Sequence, residues 1–308
     1  MRIAIMGSGG VGGYVGAWLQ QAGVQTVFIA RGAHLAALRA QGLRVEHPVR
    51  PLYLPHVVAT DDPTSVGPVD LVIFSVKLFD TEEASRSMVP LVGKHTRVLT
   101  LQNGIDSVEM IRGQLNSEAL VLGGVIYVSA VIEQPGVIRS PGGLNLLVAD
   151  RAGGDVIMGT LAEAVKGLSG LELKLADNAT NILWEKFIAL ASLSGATSLL
   201  RARMGAILTN PETHAFQRQL VDEAIAVASA RGIPLRPGLA TEVMAKLAAM
   251  PPSFRSSMAE DMERGNRLEL QWLSGRVHGL GHELGVPTPA HTAVYRGLVL
   301  HKDGTAEA

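Results

Sequence analysis

The first sixteen residues constrain this chain more than any other stretch. Arg2 to Met6 is a short apolar run that reads as a buried β-strand. It leads directly into Gly7-x-Gly9-x-x-Gly12, after which apolar positions restart at helical spacing from Val11. A strand, a glycine turn and a helix in that order form the setting in which Gly-x-Gly-x-x-Gly signifies dinucleotide binding. Gly7 permits the tight turn, Gly9 lets the backbone approach a pyrophosphate, and Gly12 lets the helix pack closely on the strand. Free N–H groups and the positive end of the helix dipole then hold the phosphates. The candidate cofactor cradle is therefore Gly7, Ser8, Gly9, Gly10, Val11 and Gly12. With 34 glycines in 308 residues the spacing alone also arises by chance, so a ligand-free glycine turn is the competing reading.

The second strand, Gln25 to Ala30, bears on which dinucleotide is bound. NAD-binding chains place Asp or Glu about 20 residues past the glycines to bond the ribose 2′-hydroxyl, whereas this chain has Ala30-Arg31-Gly32. An arginine there can pair bidentately with a 2′-phosphate, which favours NADP(H). The bland alternative is a solvated charge at a strand end.

Asp70 to Lys77 reads as a buried strand ending in Ser75 and Lys77, and Arg97 to Leu101 as another, ending in Gln102-Asn103-Gly104. Ligands of open parallel sheets sit outside the carboxyl ends of the strands, so Lys77 and Asn103 are delivered to one rim. For Asn103-Gly104 an ordinary turn is an equal reading. His34 to Gln41 reads as a short helix stopped by Gly42, and Leu43 to Val58 is strand-like but has no evident place. Val121 to Val148 reads as a meander extending the sheet, Asp155 to Leu168 as a helix and Leu171 to Leu175 as a last strand.

The period changes near Asp177. The expected organisation is an α/β dinucleotide-binding domain of Rossmann type over 1–177, followed by an all-α domain over 178–308 for substrate and dimerisation. Its helices are expected at Ala179 to Leu200, from Asn210-Pro211 to about Ala230, at Met258 to Leu284, and after a Thr288-Pro289 cap, with Asp303 to Ala308 as a frayed tail. A homodimer through the Ala-, Ser- and Leu-rich helices is an inference from composition alone.

Composition excludes several function classes. With 27 basic and 28 acidic residues the formal charge is -1, so the chain has no electrostatic footprint for nucleic acid. There is no cysteine, hence no disulfide, thiolate nucleophile or thiolate metal ligand. The most apolar helical run, Phe187 to Leu200, is 14 residues bracketed by Lys186 and Arg201, too short to span a bilayer. No leader-like segment precedes the first strand, and the expectation is a cytoplasmic protein without membrane partners. His278 and His282 are four apart with Glu283 adjacent, but the order is not His-Glu-x-x-His, and two surface histidines are favoured over a metal site.

Two stretches in the helical half could carry chemistry. In Trp184-Glu185-Lys186 the lysine stands just before a strongly apolar run. Desolvation there would lower its pKa towards that of a usable proton donor; a snorkelling lysine at a helix end is the alternative. In Ser256-Ser257-Met258 and the acidic segment after it, Glu269 lies between Leu268 and Leu270 and is the carboxylate expected to point inward.

Taken together, the glycine fingerprint, Val76-Lys77, Gln102-Asn103-Gly104, Trp184-x-Lys186, and Ser256-Ser257-Met258 with Glu269 twelve residues past the second serine resemble the ketopantoate reductases (2-dehydropantoate 2-reductases) over nearly the whole chain. The resemblance implies an NADP-binding Rossmann domain and a helical domain with the active site in the cleft between them. It also implies NADPH-dependent reduction of ketopantoate to pantoate, with no metal. By the same resemblance Lys186 would be the general acid and Glu269 its partner. Arg31 would hold the 2′-phosphate, Lys77 and Asn103 would line the nicotinamide end, and Ser257 would contact the substrate. The positions four and eight residues after Lys186, which in the family carry substrate-facing Asn, are here Leu190 and Ser194; a further pocket Asn is replaced by Phe254. Losing such amides weakens recognition of substrate hydroxyl and carbonyl groups by about 1 kcal/mol or more each. A reductase of a more apolar 2-oxo acid is therefore a close alternative, and an NADP(H)-binding regulatory protein without turnover a more distant one.

Overall fold

Strand β1 (Arg2–Met6) lies in the middle of a parallel sheet, and its run of buried residues reflects cover on both faces. The computed structural model describes residues 1–115 and 119–304. These form two compact units that divide between Thr180 and Asn181.

After β1 the N-terminal unit continues with α1 (Gly10–Gln21), β2 (Gln25–Ile29), α2 (Gly32–Gln41), β3 (Leu43–Glu46), β4 (Leu52–Leu54) and β5 (Val58–Thr60). Then come β6 (Val69–Phe74), α3 (Thr81–Ser87), β7 (Val92–Thr100), α4 (Ser107–Gln114) and β8 (Leu120–Tyr127). The unit closes with β9 (Val131–Gln134), β10 (Val137–Arg139), β11 (Leu146–Asp150), α5 (Val156–Val165) and β12 (Glu172–Ala176). The main sheet has the order β12-β11-β8-β7-β6-β1-β2-β5. Its members from β5 to β8 are parallel, and only the β11–β8 pairing is antiparallel. The chain leaves β1 towards β2 on one side and returns to β6 on the other, which is the switch point where such sheets bind ligands.

Two regions differ from the sequence reading. The segment Val121 to Val148 does not simply extend the sheet. β8 and β11 do, but β9 and β10 join β3 and β4 in a separate four-stranded sheet. That small sheet packs over α1: a Cβ on Gly13 would stand 2.3 Å from Ile138 Cδ1 of β10. The stretch after Leu43 thus finds its place by covering the outer face of α1, with β5 completing the main sheet edge. Asp155 caps α5 through its carboxylate, accepting from the Ile157 and Met158 amides, and also holds the Arg97 guanidinium at 2.7 Å.

The second unit is helical. It comprises α6 (Ala179–Leu199, crossing the division by two residues), α7 (Met204–Thr209), α8 (Pro211–Ala230), α9 (Leu239–Ala248), α10 (Ser257–Glu263), α11 (Ser274–Leu284) and α12 (Pro289–Leu298). From Ala191 to Ser198 every residue of α6 is buried, so the helix has no solvent face there. Small residues make that enclosure sterically feasible: a Cβ on Gly195 would lie within 4 Å of Ser274, Val294 and Leu220. The hydroxyls of Ser192 and Thr197 are satisfied by donating back to the Ile188 and Leu193 carbonyls.

The expected single helix over Met258 to Leu284 is broken into α10, a 3-10 turn at Leu270–Trp272, and α11. Gly265, at φ +71°, ends the first piece, and the Leu268 amide then donates to the Lys302 carbonyl instead of continuing a helix. The helices α3, α7 and α9 were not anticipated. Of the expected frayed tail, Thr305 to Ala308 lie outside the described residues, while Gly304 still donates to the His301 carbonyl. Among the described residues no helix is long and apolar enough to cross a membrane.

The start of α12 is also capped otherwise than expected. Thr288 makes no side-chain cap, and Pro289 has no N–H. The free amides of Ala290 and His291 are bonded by the buried Glu223 carboxylate of α8, at 2.8 and 2.9 Å. This ties α12 to α8 by two charge-assisted bonds at a helix N-terminus. Glu223→Ala should therefore cost about 2 kcal/mol of stability, read as a lower urea midpoint with an unchanged m-value.

Candidate active site

The cofactor cradle is built by the end of β1 and the start of α1. Gly7 adopts φ +91°, which an L side chain rarely does, and a Cβ there would meet Val76 at 2.6 Å. A Cβ on Gly12 would strike the Gly7 carbonyl and Ser75 Oγ, both at 2.2 Å, so helix and strand approach as closely as only glycine allows. Gly9 is the opposite case. Its backbone is extended, at φ −71° and ψ −160°, and a Cβ would find nothing within 4 Å. That open space lies at the N-terminus of α1, where Gly10, Val11 and Gly12 present first-turn amides, and it fits a dinucleotide pyrophosphate. Ser8 is buried, and its hydroxyl donates to the Ile5 carbonyl at 3.3 Å. Gly10 is held by the loop before β9, its missing Cβ leaving room for the Ala130 carbonyl.

The neighbouring strands bring their ends to the same edge. Met6 pairs with Ile29 of β2 and Phe74 of β6, and Phe74 in turn with Thr100 of β7. The residues just beyond these four aligned positions are the ones singled out from the sequence: Gly7, Arg31, Ser75, Lys77 and Asn103. Ser75 Oγ donates to the Gly7 carbonyl at 2.9 Å, fastening the glycine turn to the β6 loop. Lys77 is exposed and in extended conformation, and Asn103 is partly buried.

Gln102 was given no role in the sequence reading, yet it organises this rim. Its buried amide donates to the Val76 carbonyl at 3.0 Å and to Thr81 Oγ1 at 2.8 Å, while its carbonyl oxygen accepts from Thr100 Oγ1. It thereby fixes the β6 and β7 loops to each other beside Lys77 and Asn103. A lone polar residue continuing an apolar strand was the available signal.

Arg31 precedes α2 with its side chain largely exposed, and it makes an ion pair with Glu83 of α3 at 3.1 Å. A surface pair of this kind is worth little, about 0–1 kcal/mol.

In the helical unit the two candidate residues of the sequence reading, Lys186 and Glu269, are electrostatically linked. Lys186 lies in α6 next to buried Trp184, Phe187 and Ile188. Burial drives its pKa down from 10.5 to about 8, with the Glu269 carboxylate acting against that fall. Glu269 is itself buried, immediately before the 3-10 turn at Leu270–Trp272. The break in the expected long helix is thus what positions this carboxylate. Ser257 is exposed at the first position of α10, and Ser256 is the cap, accepting from the Ala259 amide and bonding Thr197 Oγ1 at 2.9 Å. Leu190 is partly exposed on α6, whereas Ser194 is wholly enclosed and its hydroxyl meets no partner among the described residues. Phe254 is exposed.

The rings of the two histidines considered for a metal meet edge to face, with centroids 4.7 Å apart. His278 Nδ1 lies 2.9 Å from Thr292 Oγ1, and its ring stacks on Tyr295. Among the described residues no group of three His, Asp or Glu is arranged to hold a metal.

Family models described as ketopantoate reductase PanE/ApbA and its C-terminal part match residues 3–153 and 178–301. The chain belongs to the ketopantoate reductase family. It is 30% identical to the 2-dehydropantoate 2-reductase of Archaeoglobus fulgidus, the alignment covering 92% of each chain. The crystal structure of a PanE/ApbA family ketopantoate reductase from Ralstonia eutropha JMP134 superposes with a TM-score of 0.90 at 32% identity, over 98% of both chains. D-mandelate dehydrogenase, in a ternary structure with NADH and anilino(oxo)acetate, shares the fold at a TM-score of 0.86 and 23% identity, over 98% of each chain. As a ketopantoate reductase family member the protein is an oxidoreductase using a nicotinamide dinucleotide, and its glycine cradle accommodates that group.

The glycines of the cradle separate packing from binding. Gly12→Ala should lower the melting temperature, because the added methyl meets backbone at 2.2 Å. Gly9→Ala should leave the melting temperature unchanged and weaken dinucleotide binding about tenfold or more, since its methyl enters the open space beside the helix N-terminus. Thermal melts and fluorescence titration with NADPH distinguish the two.

Proposed function

We propose that this protein is an NADPH-dependent 2-oxo acid reductase that converts 2-dehydropantoate to pantoate, with Lys186 as general acid and Glu269 as its partner. The observation that carries the reading is Lys186, a desolvated ammonium with a pKa of about 8 under the influence of a buried carboxylate. The relatives named 2-dehydropantoate 2-reductase support the substrate.

A reduced nicotinamide dinucleotide, when bound, supplies the hydride that adds to the carbonyl carbon. Lys186 Nζ gives its proton to the carbonyl oxygen, so C=O becomes H–C–OH and the amine is left neutral until solvent reprotonates it. Before transfer, the ammonium stabilises the developing alkoxide, the larger part of what such a group contributes in a low-dielectric site. Glu269 raises the pKa of Lys186 against the effect of burial, so that at about 8 the amine is still charged at neutral pH when substrate arrives, while burial keeps the proton transferable. Arg31 supports NADP(H), since its guanidinium can exchange Glu83 for a doubly charged 2′-phosphate. Lys77 and Asn103 complete the rim at the strand ends, and Ser257 contacts the substrate.

A second reading is favoured by Leu190 and Phe254. Both are apolar and retain exposed surface where an amide would suit a hydroxyl-bearing substrate. They suit a 2-oxo acid with an apolar side chain and the same reduction chemistry.

The deciding experiment is NADPH oxidation with 2-dehydropantoate beside a panel of apolar 2-oxo acids. Turnover with the first at a kcat/KM above the panel is expected; higher values across the panel would move the assignment to the second reading. Lys186→Ala should lower kcat by about 10²–10⁴ and leave NADPH binding intact. Arg31→Ala should raise the KM for NADPH tenfold or more with little change for NADH, as expected for loss of a charge-assisted pair to phosphate.

The pH dependence follows from the lysine. The acid is competent only when protonated, so the reduction rate should be level below pH 8 and fall about tenfold per unit above it. Lys186→Arg, which cannot deprotonate in this range, should lose that falling limb along with most of the rate. A rate that stays level up to pH 10 in the unsubstituted enzyme would remove Lys186 from the role.

A further inference from the structure

The helical unit contains a polar cavity about 570 Å³ in volume, whose lining does not include Lys186. It is reached by following α6 for about 18 Å, at 1.5 Å per residue, from Lys186 to Ser198. Arg201, Arg203 and Arg255 line it, with His301 and Asn266. Its apolar floor is Ala202, Ala259 and Met262. Glu263 is the carboxylate in the lining, and it is already bonded to Arg255. Arg203 donates to the Ser253 carbonyl at 2.8 Å, and among the described residues neither Arg203 nor Arg201 has a carboxylate within ion-pair distance. Glu263 lies within the electrostatic field of Arg203 as well as of Arg255, so three guanidinium groups share this one lining carboxylate and the cavity carries a positive excess.

Two further features mark the place. Ser198 also lines the cavity, is 1% exposed, and its hydroxyl has no hydrogen-bond partner among the described residues. Buried polar groups are normally satisfied, so an unpaired one in a cavity wall points to a ligand or water as its partner. Arg201 takes a left-handed backbone conformation, φ +49°, directly after α6. For a residue other than glycine that conformation is strained, and it ends α6 with Arg201 in the cavity lining.

We propose that this cavity is a second ligand site, separate from the Lys186 centre, which takes a small organic oxyanion bearing two or more carboxylate or phosphate groups. Its volume falls in the range of small-molecule sites, about 300–1,000 Å³. The forked guanidinium donors match carboxylate and phosphate geometry, and the Ala and Met floor accommodates a short carbon body. Arg201 and Arg203 bind the anionic groups, while Arg255 stays with Glu263 as the wall.

The test is isothermal titration of the full chain with citrate and with pyrophosphate at 150 mM chloride, using Arg201→Gly, Arg203→Gln and Lys186→Ala beside the unsubstituted protein. Glycine at 201 keeps the left-handed backbone without strain, so that variant removes the side chain without disturbing the turn; its thermal melt verifies folding. With the glycine cradle saturated by NADPH, the expected result is one molecule of citrate or pyrophosphate per chain. Affinity should fall tenfold or more in Arg201→Gly and Arg203→Gln and stay unchanged in Lys186→Ala. No binding of either anion, equal affinity in Arg201→Gly, or loss of binding in Lys186→Ala would each overturn the proposal. If Arg203→Gln does not fold, Arg201→Gly decides alone.

Discussion

The close approach of α1 to β1 is the contact on which the N-terminal unit depends. It brings the Gly7 carbonyl to within 2.2 Å of where a Cβ of Gly12 would stand, and the same helix leaves room for the small sheet at Gly13. Because α1 lies so close, its first amides project beyond the end of β1 at the level where β6 and β7 also end. The site edge is then a consequence of register. Four parallel strands finishing together place an arginine, a lysine and an asparagine along one line, and Gln102 locks two of the three loops that carry them.

The helical unit solves a different problem, that of keeping charge inside an apolar assembly. An ammonium in that environment loses hydration and surrenders its proton more readily, which is the direction seen for Lys186. A buried carboxylate nearby limits the loss. Burial lowers the pKa of Lys186 and the Glu269 carboxylate opposes that fall, which leaves the amine at about 8. Glu223 follows a related logic with a structural result. Its buried charge is met by the amides of a neighbouring helix, so it joins two helices.

The enclosure of α6 explains why its substitutions from the family pattern are unequal. Leu190 retains surface. Ser194 has none, and its small side chain serves the packing of α6 among its neighbours at the turn that also holds Gly195. One helix therefore carries a lysine of lowered pKa near its start, a packed centre, and a cavity lined by arginines at its end.

Much of this was legible in the residues themselves. The strand and glycine run at 1–16, the change of period near Asp177, the Asn210-Pro211 start of α8 and the lysine ahead of an apolar run are local patterns, and local patterns are set by backbone sterics and hydrophobic periodicity. The family followed from several such motifs in order. What the sequence could not supply were the features made by residues far apart in the chain. The pairing of β9 and β10 with β3 and β4, the capping of α12 by Glu223, the role of Gln102 and the cavity shared by Arg201 and Arg255 all join segments whose own periodicity is silent about their partners. The break before Glu269 is instructive. By pattern the segment is helical, but Gly265 and the bond from the Leu268 amide to Lys302 stop it, and so set the position of the one buried carboxylate that acts on Lys186. Local chemistry decided which residues could react; only tertiary contacts, which outweigh a marginal helix propensity, decided where they stand.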